Sequence, residues 1–341
     1  MPRPTHHPLL AATVLALTVG LVISGCATAA PPAESGAAAS GDFPVTIEHA
    51  FGETTIAQQP ERVVALGWSS ADAAIALGVI PVAIPYQSYG GNDEGVLPWI
   101  AEALDAQGAE TPTVLPESEE PPYEDIAKAA PDVILATYSG ITKEQYDLLS
   151  EIAPVVAYPD EAWSTPWRDV ITTAGTALGK KTEADTVLAD IDQAIADAAA
   201  AHPEFAGKTI ALTSDNAGTF YVYKKEDPRV AFTLDLGFKN AGSVDELANG
   251  DATFFYTLSY EQLDKLSSDV LVNFAATQEE SDAFLQAGYA QAMPQVSGGS
   301  VASPVGEAFI SSVSPPTALS LPWGLDDYVA LLSDAAKAAN P

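Results

Sequence analysis

Cysteine is all but absent: Cys26 stands alone in 341 residues, so the chain can form no internal disulfide. Histidine is nearly as scarce. Two of the four lie in the first 25 residues, which leaves His49 and His202 for the rest. A direct zinc or manganese site usually draws on imidazole as well as carboxylate, and a Ser-His hydrolase needs a base beside its nucleophile. Neither has material here. No G-x-S-x-G, no H-E-x-x-H and no phosphate-cradling glycine loop occurs. Positive charge is short as well, with 14 Lys and Arg against 46 Asp and Glu and a net charge of −32. That balance excludes a nucleic-acid partner and binding to anionic membrane by charge. The acids are spread along the chain, as solubility outside a cell requires. The longest apolar run, Leu9 to Ile23, has 15 residues, too few to span a bilayer, which takes about 20.

What is present begins with that run. Arg3 precedes it and Ile23-Ser24-Gly25-Cys26 ends it, the outline of a secretory signal. A cysteine directly after small residues resembles a bacterial lipobox, which implies that residues 1–25 are removed and Cys26 is lipidated. Residues 26–41, rich in Ala, Pro, Ser and Gly, read as a flexible tether. Without Arg3 the net charge is −33. The remaining 316 residues are too many for one ordinary core and suit two lobes.

The chain is organised around Thr182–Ala201. Ala184, Val187, Leu188, Ile191, Ile195 and Ala198 make one face of a 3.6-period helix. Thr182 reads as its N-cap, with Glu183 and Asp185 in the first turn, and His202-Pro203 stops it. With no Pro or Gly inside, it should be a stiff rod about 30 Å long. On either side, short apolar segments alternate with amphipathic ones: a hairpin turning at Phe51-Gly52, strands near 62–66, 79–85, 132–136 and 155–158, and helices capped by Ser70 and Thr142. This alternation implies βαβ units and parallel sheets. The second half repeats the first. Tyr123-Glu124-Asp-Ile-Ala-Lys128-x-x-x-Asp132-Val133 aligns without a gap on Tyr260-Glu261-Gln-Leu-Asp-Lys265-x-x-x-Asp269-Val270, and the strand at 209–213 mirrors that at 62–66. The expected architecture is therefore α/β: two Rossmann-like lobes, 42–165 and 204–341, with mainly parallel sheets, joined by a helical region at 166–203.

Such lobes bind ligand outside the carboxyl ends of their strands. The rule names Trp68, Ser69, Tyr86, Tyr89, Tyr138 and Ser139 from the first lobe, and Trp163, Trp167 and Arg168 before the rod. From the second it names Asn216, Phe220, Tyr221, Tyr223, Arg229, Phe254, Tyr256, Asn273 and Phe274, with Trp323 from the tail. Four of the five tryptophans are expected in loops rather than in periodic faces.

At PERVVALGWSSADAAIALGV (60–79), the 123–158 stretch, YEQLDKLSSDVLV (260–272) and ALSLPWGLDDYVALL (318–332), the chain resembles the ferric-siderophore-binding lipoproteins of ABC importers, a class shared with cobalamin binders. The resemblance implies the class III periplasmic-binding-protein fold with one long interlobe helix. It further implies no enzymatic activity, a monomer anchored through Cys26 to the outer face of the cytoplasmic membrane, and Glu124 and Glu261 as the exposed pair that docks on the permease. No cofactor or metal ligand is expected of the protein, the iron being held by the siderophore alone. Only Arg168, Lys224, Lys225 and Arg229 are placed to reach the groove. So few cations suit a neutral or cationic ferric hydroxamate better than a trianionic tris-catecholate. Cobalamin or haem on the same scaffold, haem through His49 or His202, is the nearest alternative. A surface hydrolase with paired carboxylates and a structural adhesion lipoprotein are the others.

Overall fold

A computed structural model describes residues 43–250 and 252–339. The signal, Cys26 and the tether lie outside the described residues. Two strands, β1 (Val45–His49) and β2 (Gly52–Ile56), pair antiparallel, with His49 opposite Gly52. The turn is thus Ala50-Phe51, one residue earlier than the sequence suggested.

The first sheet contains β3 (Val63–Ala65), β4 (Ala83–Pro85), β5 (Thr113–Leu115), β6 (Val133–Ala136) and β7 (Val155–Ala157), all parallel in the order β5-β4-β3-β6-β7. The second contains β8 (Thr209–Asn216), β9 (Thr219–Tyr223), β10 (Lys239–Asn240), β11 (Phe255–Leu258), β12 (Val270–Phe274) and β13 (Val301–Ala302). Its order is β11-β9-β8-β12-β13, with β10 beside the start of β8. Here β9 and β11 run antiparallel to their neighbours, which makes this sheet mixed. The reversal comes at Ala217-Gly218, both with positive φ (50° and 81°), as a two-residue hairpin turn of the primed kind demands.

The internal repeat is structural. Val133 pairs with Val63 and Val270 with Ile210, the same register in both sheets. One residue before each, an aspartate clips the start of the central strand: Asp132 accepts from the amides of Glu61 and Arg62, and Asp269 from the amide and hydroxyl of Thr209. The helical copies differ, Tyr123–Lys128 being α-helical and Tyr260–Lys265 a 3₁₀ turn.

Successive strand side chains point to opposite faces, and this parity decides which core each residue joins. Val63, Val133, Leu135, Ile210, Leu212, Val270 and Val272 face inward onto one continuous apolar cluster that includes Ile171, Ala184, Ile191, Ile195 and Leu325. Val64, Ile134 and Ala136 face the outer helices of the first half, and Ala211 and Leu271 those of the second. The halves therefore share their inner core instead of keeping separate ones. The rod, Lys181–Ala201, packs on the helices Trp167–Ala177, Pro228–Asp235 and Ser320–Ala338 and buries Ala184, Ile191 and Ile195 in this core. It starts one residue before Thr182 and has no side-chain cap; Glu183 is instead paired with Lys180 at 2.8 Å.

A second connection joins the halves. The segment before the C-terminal helix (Ser320–Ala338) returns to the first half, where Thr317 Oγ1 and Trp99 Nε1 donate to the buried carboxylate of Asp72, at 2.5 and 2.6 Å. Burial pushes the Asp72 pKa up, against the pull of these two hydrogen bonds. Trp323 packs on Trp99 and donates to Glu102.

Candidate functional site

Two neighbouring cavities lie at strand ends: the first is lined by the first half alone, and the second draws on both halves. The first, of about 370 Å³, sits at the carboxyl ends of β3 to β6. Trp68 and Tyr86 follow β3 and β4, Ser139 follows β6, and Trp163 closes one side. Gly140 is what lets Trp163 in, for a β-carbon there would lie 2.2 Å from the indole nitrogen. Trp163 adopts the left-handed region, with φ 60°, and stays 46% exposed while its amide donates to Ser139 and its ring meets Tyr138 edge-on at 5.7 Å. A bulky residue held there stores strain of the kind that collects at binding sites.

The second cavity, of about 260 Å³, is lined by Tyr89, Asp215, Asn216, Tyr223, Arg229, Phe274 and Glu280, among others. Asp227, only 1% exposed, caps the helix Pro228–Asp235 by accepting from the Arg229 amide, and it also accepts from Arg229 Nε at 2.8 Å. The guanidinium lies 3.8 Å from the Tyr223 ring centroid and 5.9 Å from that of Phe274. Its two terminal nitrogens take no protein partner among the described residues. Burial raises the Asp227 pKa against the pull of Arg229. Tyr89 and Tyr138 are each pushed up to about 12, chiefly by burial, so both phenols remain donors at neutral pH. Tyr138 sits between the cavities, within reach of the charges of Asp227 and Arg229. The loop that starts at Tyr86 in the first cavity carries Tyr89 into the second, where the Tyr89 carbonyl accepts from Ser311 Oγ.

The structure thus brings together Trp68, Tyr86, Ser139 and Trp163 in one cavity, Tyr89, Asn216, Tyr223, Arg229 and Phe274 in the other, and Tyr138 between them. Ser69 faces only a small void behind the first cavity, beside Asp72. The remaining residues lie elsewhere, each for a visible reason. Arg168 is held by Asp192 (2.6 Å) and Asp235 (3.0 Å), pinning the rod to the helix after Asp227. Tyr256, 2% exposed, and Phe220 have the parity that points into the outer core. Tyr221 and Phe254 both pack on Phe255. Asn273 is buried against Thr213. Trp167, Trp99 and Trp323 are all in helices, so only Trp68 and Trp163 of the five tryptophans are in loops. Lys224 donates to the Ala252 carbonyl and lines neither cavity, and Lys225 lines neither. His49 bonds Thr54 inside the first half, and His202 pairs with Glu204 and stacks on Phe205, so neither lines these cavities.

Sequence reasoning missed the loop Glu117–Pro122, which lines the first cavity, and Asp215 and Glu280, which line the second. The loop follows β5, a three-residue strand; had Thr113–Leu115 been recognised, the strand-end rule would have included it. Glu124 and Glu261 are exposed in the first turns of their equivalent segments, with no cation paired to either among the described residues.

The periplasmic binding protein family matches residues 63–294, more than half of the chain. The chain belongs to this family. Among its relatives, the Fe(3+)-citrate-binding protein YfmC of Bacillus subtilis (strain 168) is 28% identical over 270 residues, 79% of this chain and 80% of that protein. The probable siderophore-binding lipoprotein YfiY of the same bacterium is 28% identical over 264 residues, 74% of this chain and 75% of that one. The structure of PiaA from Streptococcus pneumoniae TIGR4 in complex with ferrichrome shares 33% identity, covers 87% of this chain and all of its own, and has a TM-score of 0.79. The resemblance read in the sequence, to the siderophore-binding branch of periplasmic binding proteins, is therefore correct. So is the class III fold.

Proposed function

We propose that this periplasmic binding protein captures a ferric siderophore of the hydroxamate type in the seam between its sheets and delivers it to an ABC permease. It acts as a binding protein without catalysis, anchored through a lipid on Cys26 at the outer face of the cytoplasmic membrane. The observation that carries the reading is Arg229, fixed by Asp227 and flattened on Tyr223, with two guanidinium nitrogens left over at the wall of a cavity. Such a fork, beside the phenol donors Tyr89 and Tyr138, suits the anionic oxygens that surround a chelated iron. Aromatic walls suit the apolar arms. Among the described residues no group of three or more His, Cys, Asp or Glu could hold a metal ion, and the siderophore would fill the iron's coordination shell. The ferrichrome complex of PiaA supports the hydroxamate class.

Titration of the mature protein by intrinsic tryptophan emission tests this. Ferric hydroxamates should quench Trp68 and Trp163, whereas ferric tris-catecholates, ferric citrate, cobalamin and haem should not. Binding of a catecholate or citrate complex in preference to every hydroxamate would overturn the choice. Glu124 and Glu261 are proposed to meet arginines on the permease. Replacing both with alanine should abolish uptake and leave ligand affinity within about twofold, since exposed charges away from the pocket contribute little to it.

A further inference from the structure

We infer that the ligand carries a positively charged arm, an aliphatic ammonium, and that the first cavity receives it. The inference rests on the siderophore-binding reading and narrows it. Glu117, Glu119 and Glu120 line that cavity, no Lys or Arg does, and none of the three carboxylates has an ion-pair partner among the described residues. The opposite walls are aromatic: Trp68, Tyr86 and Trp163, with the Trp163 indole left 46% exposed over the space. Unpaired carboxylates on one side and open π faces on the other recognise an organic cation, which gains from both. A bare metal ion would need carboxylates converging on one point without the aromatic wall.

The second cavity does not reverse this balance. Arg229 is its one lining cation and is already paired with the buried Asp227, while Asp215 and Glu280 line the same space. Asp215 is fixed there by the Tyr260 and Tyr289 hydroxyls, which donate to it at 2.6 and 2.7 Å. The two cavities are thus lined by five carboxylates and one arginine, in a chain whose net charge is −32. An anionic iron complex is repelled by such a field, a neutral one is indifferent to it, and one with a pendant ammonium is drawn in. The charge also orients the complex. Its chelated iron centre belongs with Arg229, Tyr89 and Tyr138, and its amine with the loop after β5.

Ferrioxamine B, which has a pendant amine, and its N-acetylated form, which is neutral there and has the same iron centre, isolate the claim. We expect the wild-type protein to bind the amine form about tenfold more tightly, the combined size of one cation–π contact and one part-exposed ion pair. The preference should shrink with added salt. In the triple variant E117Q/E119Q/E120Q, shown to be folded by an unchanged Tm, the ratio of the two affinities should fall to about threefold, the share left to the aromatic wall, and should no longer depend on salt. Equal binding of both probes by the wild-type protein would overturn the charged arm and leave the hydroxamate reading intact. A preference left undiminished in the triple variant would overturn the placement in the first cavity. Failure of both probes to bind would overturn the parent reading and this inference with it.

Discussion

Arg229 shows what one side chain must do here. Its Nε holds a carboxylate that is 1% exposed, its plane lies on Tyr223, and its outer nitrogens have no partner among the described residues. Removing it altogether would strand Asp227 as a buried, unpaired charge, at about 3–5 kcal/mol of stability, so Arg229→Ala would confuse folding with binding. Lysine separates the two. Arg229→Lys keeps a cation for Asp227 but loses the planar fork and the stack. Ferric hydroxamate affinity should fall about tenfold to a hundredfold, the value of one charge-assisted hydrogen bond, with only a small drop in Tm; calorimetric titration and a thermal melt read the two effects independently. Arg229, Tyr86, Tyr89 and Trp163 were legible in the sequence because each follows a strand and is flanked by turn residues. Tyr256 and Phe220 were not, because which face of a strand a residue occupies depends on register, and the chain reverses direction at Ala217-Gly218.

Among the elements, the rod was the most legible, since 3.6-residue periodicity over five turns is hard to mistake. Its start was not. A threonine beside two acids looks like a cap, yet the preceding helix, Trp167–Ala177, runs into it through a tight turn at Gly179, and the rod begins at Lys181. The packing of these two helices depends on Gly175, where an added β-carbon would lie 2.5 Å from the Ala184 β-carbon. Gly175→Ala therefore sets two effects against each other. Helix propensity favours alanine by about 1 kcal/mol, while overpacking a tight core costs typically about 1–3 kcal/mol. The crowded atom is a β-carbon fixed to a buried backbone, which cannot swing aside, so overpacking should win. We expect Gly175→Ala to lower stability by about 1–2 kcal/mol in urea unfolding, and a stabilised variant would show that the two helices are free to separate. Within the first sheet β5 was the strand left unread: it is as short as β3, β4 and β7, but Thr113–Leu115 is boxed between Pro112 and Pro116 and reads as loop, so the acidic loop behind it was not assigned to the site.

At the scale of the whole molecule, the question is how far the halves move when the seam fills. The sequence offered one reason for stiffness, a helix without Pro or Gly. The structure adds two more. Both sheets bury their inner faces in one continuous core that also takes in the apolar face of that helix, and opening them like a clamshell would expose part of it. At about 25 cal/mol for each Å² of apolar surface, a few hundred Å² would already cost several kcal/mol. The other reason is the return of the chain to the first half through Thr317 and Trp323. Asp72 is buried there and accepts two hydrogen bonds, one from each half, and breaking the Thr317 bond would leave that carboxylate short of a donor. The rod and this tie are separate connections, and a rigid body held at two places rocks but does not swing. Hinge closure around ligands, common among two-lobed binding proteins, should therefore be small here. Small-angle scattering of the mature protein, free and saturated with a ferric hydroxamate, should give radii of gyration that agree within error. A clear contraction on loading would mean that the shared core opens after all, and the affinity would then have to come from closure and not from a preformed seam.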